Sequence, residues 1–262
     1  MNSDKRKCVV SVAGLDSSTG AGITADVAAI TTLGMNAAVV CTAVTAQTGA
    51  GIRDIHPVPV SSVSAQLHAC FDEFDVLAIK TGMLANADIV RALSHFLRSR
   101  SVPQPPVPNL ESRRSCLLVV DPVMSATAGG QLLSEDGIAA LMEELLPLAF
   151  VVTPNLPEAA RLAGLPVENL IQMKDAARRI RELGVKNVIV TGGHLPDKAT
   201  DVIYDGAKFQ EVPGRKLPAK LHGTGCTYSA ALATYLALGM PLDKAAAGAK
   251  QITVRRIEDE GV

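Results

Sequence analysis

Short apolar runs alternate with amphipathic stretches along the chain, and this pattern predicts buried strands separated by helices. Seven apolar runs are predicted as strands, at 8–13, 37–43, 52–58, 76–79, 116–120, 150–152 and 188–190. Helical spacing of apolar residues is found at 23–33, 61–74, 88–98, 134–146, 156–162, 169–183, 224–238 and 242–257. Strands that are apolar on both faces and are joined by helices indicate an α/β fold, with a largely parallel sheet between two layers of helices.

Three segments refine this picture at the edges of the sheet. Asp205-Gly206 separates two further short strands and predicts a hairpin, and therefore an antiparallel edge. Pro57 and Pro59 cannot donate to a ladder, so the strand at 52–58 is expected at the other edge. The segment 101–115 holds four prolines and no apolar period, yet the alternation resumes after it. We therefore predict one domain over residues 1–262, with 101–115 as a surface insertion.

Composition narrows the class of protein. The chain has 262 residues, of which 48% are hydrophobic, so a single core is well supplied. A net charge of -1 gives no electrostatic reason to expect a nucleic acid or an anionic membrane as partner. The five cysteines show no C-x-x-C spacing, which argues against a disulfide framework and against structural zinc. We expect a cytoplasmic homodimer that binds neither nucleic acid nor membrane.

Polar, glycine-rich turns follow most of the predicted strands, at the edge where α/β sheets bind ligands. These turns are 14–22, 45–51, 80–84, 121–130, 153–158 and 191–194. None of them carries a P-loop, a dinucleotide fingerprint or a Gly-x-Ser-x-Gly nucleophile elbow, and the five histidines lack metal-ligand spacing. Phosphoryl transfer, which needs an anion site, carboxylates for magnesium and a base, fits what remains.

The stretch from Leu221 to Gly239 carries the clearest anion signal. Two glycines in Gly223-Thr224-Gly225 form a tight turn that opens directly into an alanine-rich helix, whose first N–H groups and dipole favour a phosphate. Cys226 follows at once, where a helix N-terminus is expected to lower the pKa of its thiol and make it available as a base. The alternative interpretation is a glycine turn followed by a buried core cysteine.

Two carboxylates are candidates for the magnesium site, Asp121 after the fifth strand and Glu158 after Pro157. Each also has a purely structural interpretation. Asp121 could only cap the end of its strand, and Glu158 could be a favourable charge in the first turn of a helix. The residues alone leave these alternatives open.

Seven ordered motifs together resemble the hydroxymethylpyrimidine/phosphomethylpyrimidine kinases of thiamine biosynthesis, which belong to the ribokinase superfamily. The motifs are GLDSSTGAGITAD at 14–26, TAQ at 45–47, KTGML at 80–84, DPVM at 121–124, TPNLPEA at 153–159, GGHL at 192–195 and HGTGCT at 222–227. This resemblance covers almost the whole chain. It implies a three-layer ribokinase-like fold and ATP-dependent phosphorylation of 4-amino-5-hydroxymethyl-2-methylpyrimidine, first to the monophosphate and then to the diphosphate.

The resemblance also implies roles for individual residues. It places the pyrimidine pocket at Ala21, Asp26, Gln47, Met83 and Val123. It places the nucleotide at Asn155, Glu158 and Lys250, and magnesium at Asp121 and Glu158. It implies an anion hole at Gly223, Thr224 and Gly225, with Cys226 as the base that takes the proton of the substrate hydroxyl.

Departures from the family pattern keep two other functions open. Thr191 stands just before Gly-Gly-His, where the family usually has a lysine, and the sequence ends at Val262 without the glycine-rich tail that is common in the family. These departures motivate the hypothesis of a non-catalytic pyrimidine-binding regulatory protein. Pyridoxal kinases share the fold and some of the motifs, so a pyridoxal or pyridoxine kinase is the second enzymatic hypothesis.

Overall fold

A computed structural model describes residues 5–48, 51–100, 116–126, 129–196, 198–217 and 221–260. The described strands are β1 (Lys7–Asp16), β2 (Asn36–Thr48), β3 (Gly51–Pro57), β4 (Asp75–Thr81), β5 (Leu117–Val120), β6 (Val151–Val152), β7 (Asn187–Val190), β8 (Asp201–Tyr204) and β9 (Phe209–Val212). The described α-helices are α1 (Gly22–Thr32), α2 (Val60–Glu73), α3 (Ala87–Arg100), α4 (Glu135–Ala140), α5 (Leu156–Ala163), α6 (Leu170–Glu182), α7 (Thr224–Ala237) and α8 (Leu242–Glu260).

The nine strands form one sheet in the order β3-β2-β1-β4-β5-β6-β7-β8-β9. The six strands from β2 to β7 in this order pair in parallel, while β3 and the β8–β9 hairpin are antiparallel at the two edges. Both predicted edges are therefore confirmed. The parallel arrangement brings the carboxyl ends of β1, β4, β5, β6 and β7 to one rim, which is where the candidate site lies.

Helices cover both faces of the sheet, so the three-layer α/β prediction is confirmed. One apolar cluster joins the sheet to α2, α3, α4, α5 and α6, with Leu67, Leu93 and Met173 fully buried. The second joins the other face to α1, α7 and α8. In that layer α7 and α8 meet through fully buried alanines, including Ala230, Ala233, Ala245 and Ala249. Small side chains let these two helices lie close to each other and to the sheet.

Four local predictions were wrong in detail. Residues 14–16, 45–48 and 80–81 were predicted in turns, but they continue β1, β2 and β4, because the ladders of these strands extend to the rim. The predicted helix at 134–146 consists of α4, then a π-helical turn at Leu141–Leu145 and a 3-10 turn at Leu146–Leu148 that contains Pro147. Ser134, which the sequence predicts as the N-cap of this helix, does occupy that position, although its side chain makes no capping hydrogen bond.

Two predictions fall partly outside this description. The proline-rich insertion at 101–115 lies outside the described residues, and a single domain over the whole chain stays a prediction. In the parts of the chain that the structure describes, no helix combines the length and apolar character needed to cross a bilayer.

Candidate active site

The turn at Gly223–Cys226, here called the anion turn, begins α7. Gly223 is the N-cap and has a φ of 79°, and an added Cβ would lie 2.0 Å from the Gly20 carbonyl oxygen, so only glycine fits. At Gly225 the nearest atom to an added Cβ is Asp121 Oδ2, at 3.8 Å. The start of α7 is therefore packed on its Gly20 side and open towards Asp121. Its first amides lack helical acceptors and are suited to an anion.

Asp121 and Glu158 form a buried pair of carboxyl groups beside this opening. Asp121 follows β5, and its Oδ2 accepts a hydrogen bond of 2.9 Å from Ser229 Oγ on α7. Glu158 is held by a capping box with Asn155, through bonds of 2.9 and 3.0 Å. Burial, and then the charge of Asp121, raise the pKa of Glu158 to about 8. Glu158 therefore retains a proton near neutral pH, which a bound cation can displace.

Lys80 places a positive charge near Asp121. Its side chain is fully buried, and its Nζ lies 2.7 and 2.8 Å from the two carboxylate oxygens of Asp26 on α1. Ser11 Oγ donates a further bond of 2.6 Å to Asp26. Burial disfavours the ammonium ion, but the attraction of Asp26, with those of Cys226 and Asp121, outweighs it and raises the pKa of Lys80. Lys80 is therefore a permanent cation of the site.

Cys226 is the third residue of α7 and is half-buried. The expected lowering of its pKa by the helix N-terminus is not what the surroundings produce. Burial raises the pKa of the thiol to about 12, with Asp26 and Asp121 acting in the same direction, and Lys80 and a hydrogen bond with the Gly22 backbone only partly oppose them. The resting side chain is a neutral thiol, because removal from water costs the thiolate more than these two groups return.

Asp16 organises the first loop, defined as residues 17–21. Its Oδ1 accepts from the Ser18 amide at 2.8 Å, and its Oδ2 accepts from the Ala21 amide at 2.9 Å. The carboxylate thus satisfies backbone donors that precede α1. Gly22, with a φ of 60°, closes the loop, because an added Cβ would lie 2.2 Å from the Gly14 carbonyl oxygen. The first loop is consequently folded back on the end of β1.

Gln47 and His222 meet across the site. His222 Nε2 lies 3.2 Å from Asp16 Oδ2 and 2.7 Å from the amide nitrogen of Gln47. A single ring nitrogen cannot both donate to Asp16 and accept from the Gln47 amide nitrogen, so the tautomer of His222 decides which of the two contacts is a hydrogen bond. His222 therefore links the first strand to Gln47 at the rim of the sheet.

Met83 and Val123 lie in one small apolar cluster, together with Ala43, Ala126, Leu132, Ile52, Ile55 and Ala85. Thr42 Oγ1 fixes the Met83 backbone through a bond of 2.6 Å to its carbonyl. An added Cβ at Gly14 would lie 3.0 Å from the Met83 sulfur, so glycine there gives the thioether room. The structure thus brings together the two apolar residues that were predicted to cover a ring.

Lys250 lies apart from this group, on the side of the Thr191-Gly192 turn. Its Nζ is 2.6 Å from Asp201 Oδ1, which also accepts from the Gly192 amide at 2.9 Å. Thr191 donates its own amide to the Pro154 carbonyl at 2.9 Å. Lys250 therefore supports the turn after β7 through Asp201, and its predicted contact with a nucleotide stays a prediction.

The predicted site residues thus fall into three neighbouring groups. Cys226 and Asp121 lie near the Lys80 charge with Glu158 beside Asp121, Gln47 meets His222, and Met83 packs near Val123. Asp26 was predicted to face the substrate, but its side chain is fully buried against Lys80 in this conformation. Its predicted role, like those of Ala21, Asn155, Gly223, Thr224 and Gly225, stays a prediction.

Sequence reasoning missed the supporting side chains of the site. Ser229, Asp201 and Arg256 carry no motif, and His222 was noted only as part of a motif. Their partners lie far away in the sequence, and no spacing rule connects them.

A separate surface groove of about 740 Å³ lies between α2 and α3. It is lined by His68, Arg91 and Phe96 among others, and it contains none of the predicted site residues.

Comparison with known proteins gives concordant matches. The sequence profile of the family described as phosphomethylpyrimidine kinase matches residues 16–261. A thiamine biosynthesis bifunctional protein of Geobacter sulfurreducens is 44% identical over 94% of this chain, which spans 48% of that longer protein. The hydroxymethylpyrimidine/phosphomethylpyrimidine kinase of Haemophilus influenzae is 38% identical, over 96% of this chain and 91% of that one.

A solved structure supports the same fold and shows the ligands of a relative. The pyridoxal kinase from Staphylococcus aureus in complex with AMP-PCP and pyridoxal superimposes with a TM-score of 0.81 and 31% identity. The alignment covers 97% of this chain and 89% of that one. The ribokinase-like arrangement that the sequence predicted is thereby confirmed.

Replacing Asp26 by Asn should lower the free energy of unfolding by about 3–5 kcal/mol, because the Lys80 ammonium would remain buried without a carboxylate. Urea unfolding measures the change. Asp175→Asn is the matched control, since it breaks a surface ion pair of 2.6 Å with Arg178 and should cost about 1 kcal/mol or less. An equal loss of unfolding free energy in the two variants would show that the buried ion pair contributes no more to stability than the surface pair.

Glu158→Gln should flatten the pH dependence of stability. The ordinary pKa of 4.5 is raised to about 8, so between these values the folded protein holds a proton that the unfolded chain has released. This group therefore makes wild-type stability fall as pH rises, by up to about 1.4 kcal/mol per pH unit. Urea unfolding at pH 5, 6, 7 and 8 should show wild type losing stability relative to Glu158→Gln. Parallel curves of unfolding free energy against pH for the two proteins would contradict the raised pKa of Glu158. Glu182→Gln, at an exposed position, is the control and should follow wild type.

Proposed function

We infer that this chain, which belongs to the phosphomethylpyrimidine kinase family, transfers phosphate from ATP to 4-amino-5-hydroxymethyl-2-methylpyrimidine and then to the resulting monophosphate. The observation that carries this proposal is the open start of α7, where an anion turn faces Asp121 above the buried Lys80 charge. Such an arrangement suits a phosphoryl group in transfer, which needs positive charge and N–H donors. The AMP-PCP and pyridoxal bound by the Staphylococcus relative are of the same two chemical classes.

Recognition of the pyrimidine is assigned to Gln47, Met83 and Val123. The apolar pair can cover the ring, while the Gln47 side-chain amide can both donate to and accept from an aminopyrimidine edge. Asp26 is assigned an indirect part, since its carboxylate is used by Lys80 and Ser11. Ala21 is assigned to the wall of the pocket, because Asp16 already holds its amide in the first loop.

Magnesium is assigned to Asp121 and Glu158. Mg2+ is commonly held by one or two carboxylates together with phosphate oxygens and water, and these two buried carboxyl groups fit that donor set. Among the described residues no group of three His, Cys, Asp or Glu could hold a metal alone, so phosphate oxygens would complete the shell. When bound, the ion would neutralise charge on the phosphates. Asn155 and Lys250 support the nucleotide side, through the capping box and Asp201 respectively.

The transfer step uses the anion turn and Cys226. The amides of Thr224, Gly225 and Cys226 stabilise the charge that develops on the transferring group. Cys226 accepts the hydroxyl proton in the fraction of molecules that carry the thiolate, which Lys80 favours. A loose transition state leaves the substrate proton in place until late, when the oxygen has become more acidic. A strongly basic thiolate can therefore act as the general base, although only a small fraction of the molecules carries it.

Three broader features complete the proposal. We assign the chain to a single catalytic domain, and we assign it to the cytoplasm in keeping with its five free cysteines.

We also propose a homodimer. Val39 and Val44 on β2 and Val60 on α2 are 40%, 48% and 37% exposed, and a bulge at Thr42 keeps both β2 valines on the outward face. Sedimentation velocity tests the dimer, and a monomer at micromolar concentration would contradict it.

A product assay tests the proposed activity. Purified protein with ATP and magnesium should convert the pyrimidine alcohol first to the monophosphate and then to the diphosphate. Chromatography that separates the alcohol, the monophosphate and the diphosphate measures the conversion. ADP release that is independent of the pyrimidine would contradict the proposal. Tight binding of the pyrimidine by calorimetry without any product would instead support the non-catalytic regulatory alternative.

A pyridoxal or pyridoxine kinase remains the second candidate, since the Staphylococcus structure is that of a pyridoxal kinase. The ratio of kcat/KM for the pyrimidine to that for pyridoxal decides between them. We expect the ratio to favour the pyrimidine, because the Gln47 side-chain amide can both donate to and accept from an aminopyrimidine edge. A ratio below one would reverse the assignment.

Cys226→Ala should lower kcat by about 100-fold or more and leave the affinity for the pyrimidine nearly unchanged, as expected for loss of a general base. In wild type, kcat should keep rising with pH above 8, because the thiol pKa is about 12. This rise should disappear in the variant. Cys70→Ala on α2 is the matched control and should match wild type. A normal rate in Cys226→Ala would make Cys226 a packing residue.

A further inference from the structure

Arg256, near the end of α8, connects the first loop to the anion turn. Its Nη2 donates to the Gly20 carbonyl at 2.9 Å. Its Nη1 donates to the Gly223 carbonyl at 3.4 Å and also contacts Thr227 Oγ1. The guanidinium thus bonds carbonyl groups from both segments at once. Its side chain is only 15% exposed, so these contacts are largely shielded from water.

The junction that Arg256 bonds is already the tightest contact at the rim. The missing Cβ of Gly223 would lie 2.0 Å from the Gly20 oxygen, the same atom that accepts from Arg256. The Gly223 carbonyl is also the first acceptor of α7 and receives the Thr227 amide at 3.0 Å. A side chain that joins this carbonyl to that of Gly20 therefore needs at least two donors. A planar guanidinium supplies several donors in a fixed fork and meets this need, whereas an ammonium ion acts as a single point charge.

The charge of Arg256 is less neutralised than that of the other two buried cations described above. Lys80 is paired with the buried Asp26, and Lys250 with the buried Asp201. The carboxylate contact described for Arg256 is to Glu260, at 3.2 Å, and Glu260 is 55% exposed. A water-exposed carboxylate screens weakly. The remaining acceptors are neutral oxygens, so the positive charge adds to that of the α7 N-terminus at the anion turn.

We propose that Arg256 is a positioning residue for phosphoryl transfer, which holds the first loop against the anion turn and strengthens the attraction of that turn for phosphate. This proposal rests on the kinase activity inferred above. Arg256 acts through the backbone of Gly20 and Gly223, and not by contact with the reacting atoms. By joining these two segments, Arg256 keeps the first loop, on the substrate side, at a constant position relative to the anion turn, on the phosphate side.

Three variants separate the two parts of this role. Arg256→Ala should lower kcat by at least about tenfold and raise the KM for ATP. Arg256→Lys retains the charge but cannot bridge both carbonyls. Its KM for ATP should therefore be close to the wild-type value, while its kcat stays low. Arg255→Ala, at an exposed neighbouring position on the same helix, is the matched control and should stay within about twofold of wild type. Normal kcat and KM in folded Arg256→Ala, even with a lowered Tm, would overturn the proposal.

Hydrogen exchange followed by mass spectrometry gives a readout that does not need activity. Arg256→Ala should speed amide exchange in residues 17–23 and 223–227, with the peptides from β1 and β4 unchanged, and Arg255→Ala should not. If wild type proves inactive, the proposed function fails, and the exchange pattern alone decides whether Arg256 joins the two segments. If Arg256→Ala does not fold, Arg256→Lys takes its place in both measurements. Exchange equal to wild type in both segments would overturn the proposal.

Discussion

The buried ion pair between Lys80 and Asp26 is the constraint on which the site depends. Removing two charges from water costs several kcal/mol for each ion, and only close geometry with additional hydrogen bonds compensates for it. Here both carboxylate oxygens contact the ammonium, and Ser11 supplies a further donor. Because Lys80 belongs to β4 and Asp26 to α1, the pair fixes the helix that follows the first loop against the centre of the sheet.

The Lys80 ammonium also sets the charge balance above it. Attraction to Lys80 opposes the rise in the pKa of Asp121 that burial causes. The charge of Asp121 in turn adds to the effect of burial on Glu158. One buried cation thus faces more acidic groups than it can neutralise. A retained proton on Glu158 relieves this excess in the free protein, and a divalent cation would relieve it when nucleotide binds. In the proposed magnesium site, proton release from Glu158 and metal binding would therefore be coupled.

The order of strands and helices could be predicted from the sequence, because buried strands and amphipathic helices have distinct apolar periods. The glycine turn before α7 was equally visible, since its sequence fixes its backbone. The pKa of Cys226 could not be predicted in the same way. The sequence shows the helix N-terminus, which lowers the pKa, but burial and the carboxylates of Asp26 and Asp121 come from distant segments. The contacts of Gln47 with His222 and of Arg256 with Gly20 were hidden for the same reason.

The upward shift of the Cys226 pKa is consistent with an anion turn that serves phosphate. A thiolate formed at rest would compete with phosphate for the positive end of α7 and would repel it at short range. A neutral thiol leaves that end free. In the proposed arrangement the two cations act on different parts of the turn, since Lys80 attracts the Cys226 thiolate and Arg256 bonds the Gly223 carbonyl. The anion turn thus receives positive charge from two side chains as well as from the dipole of α7.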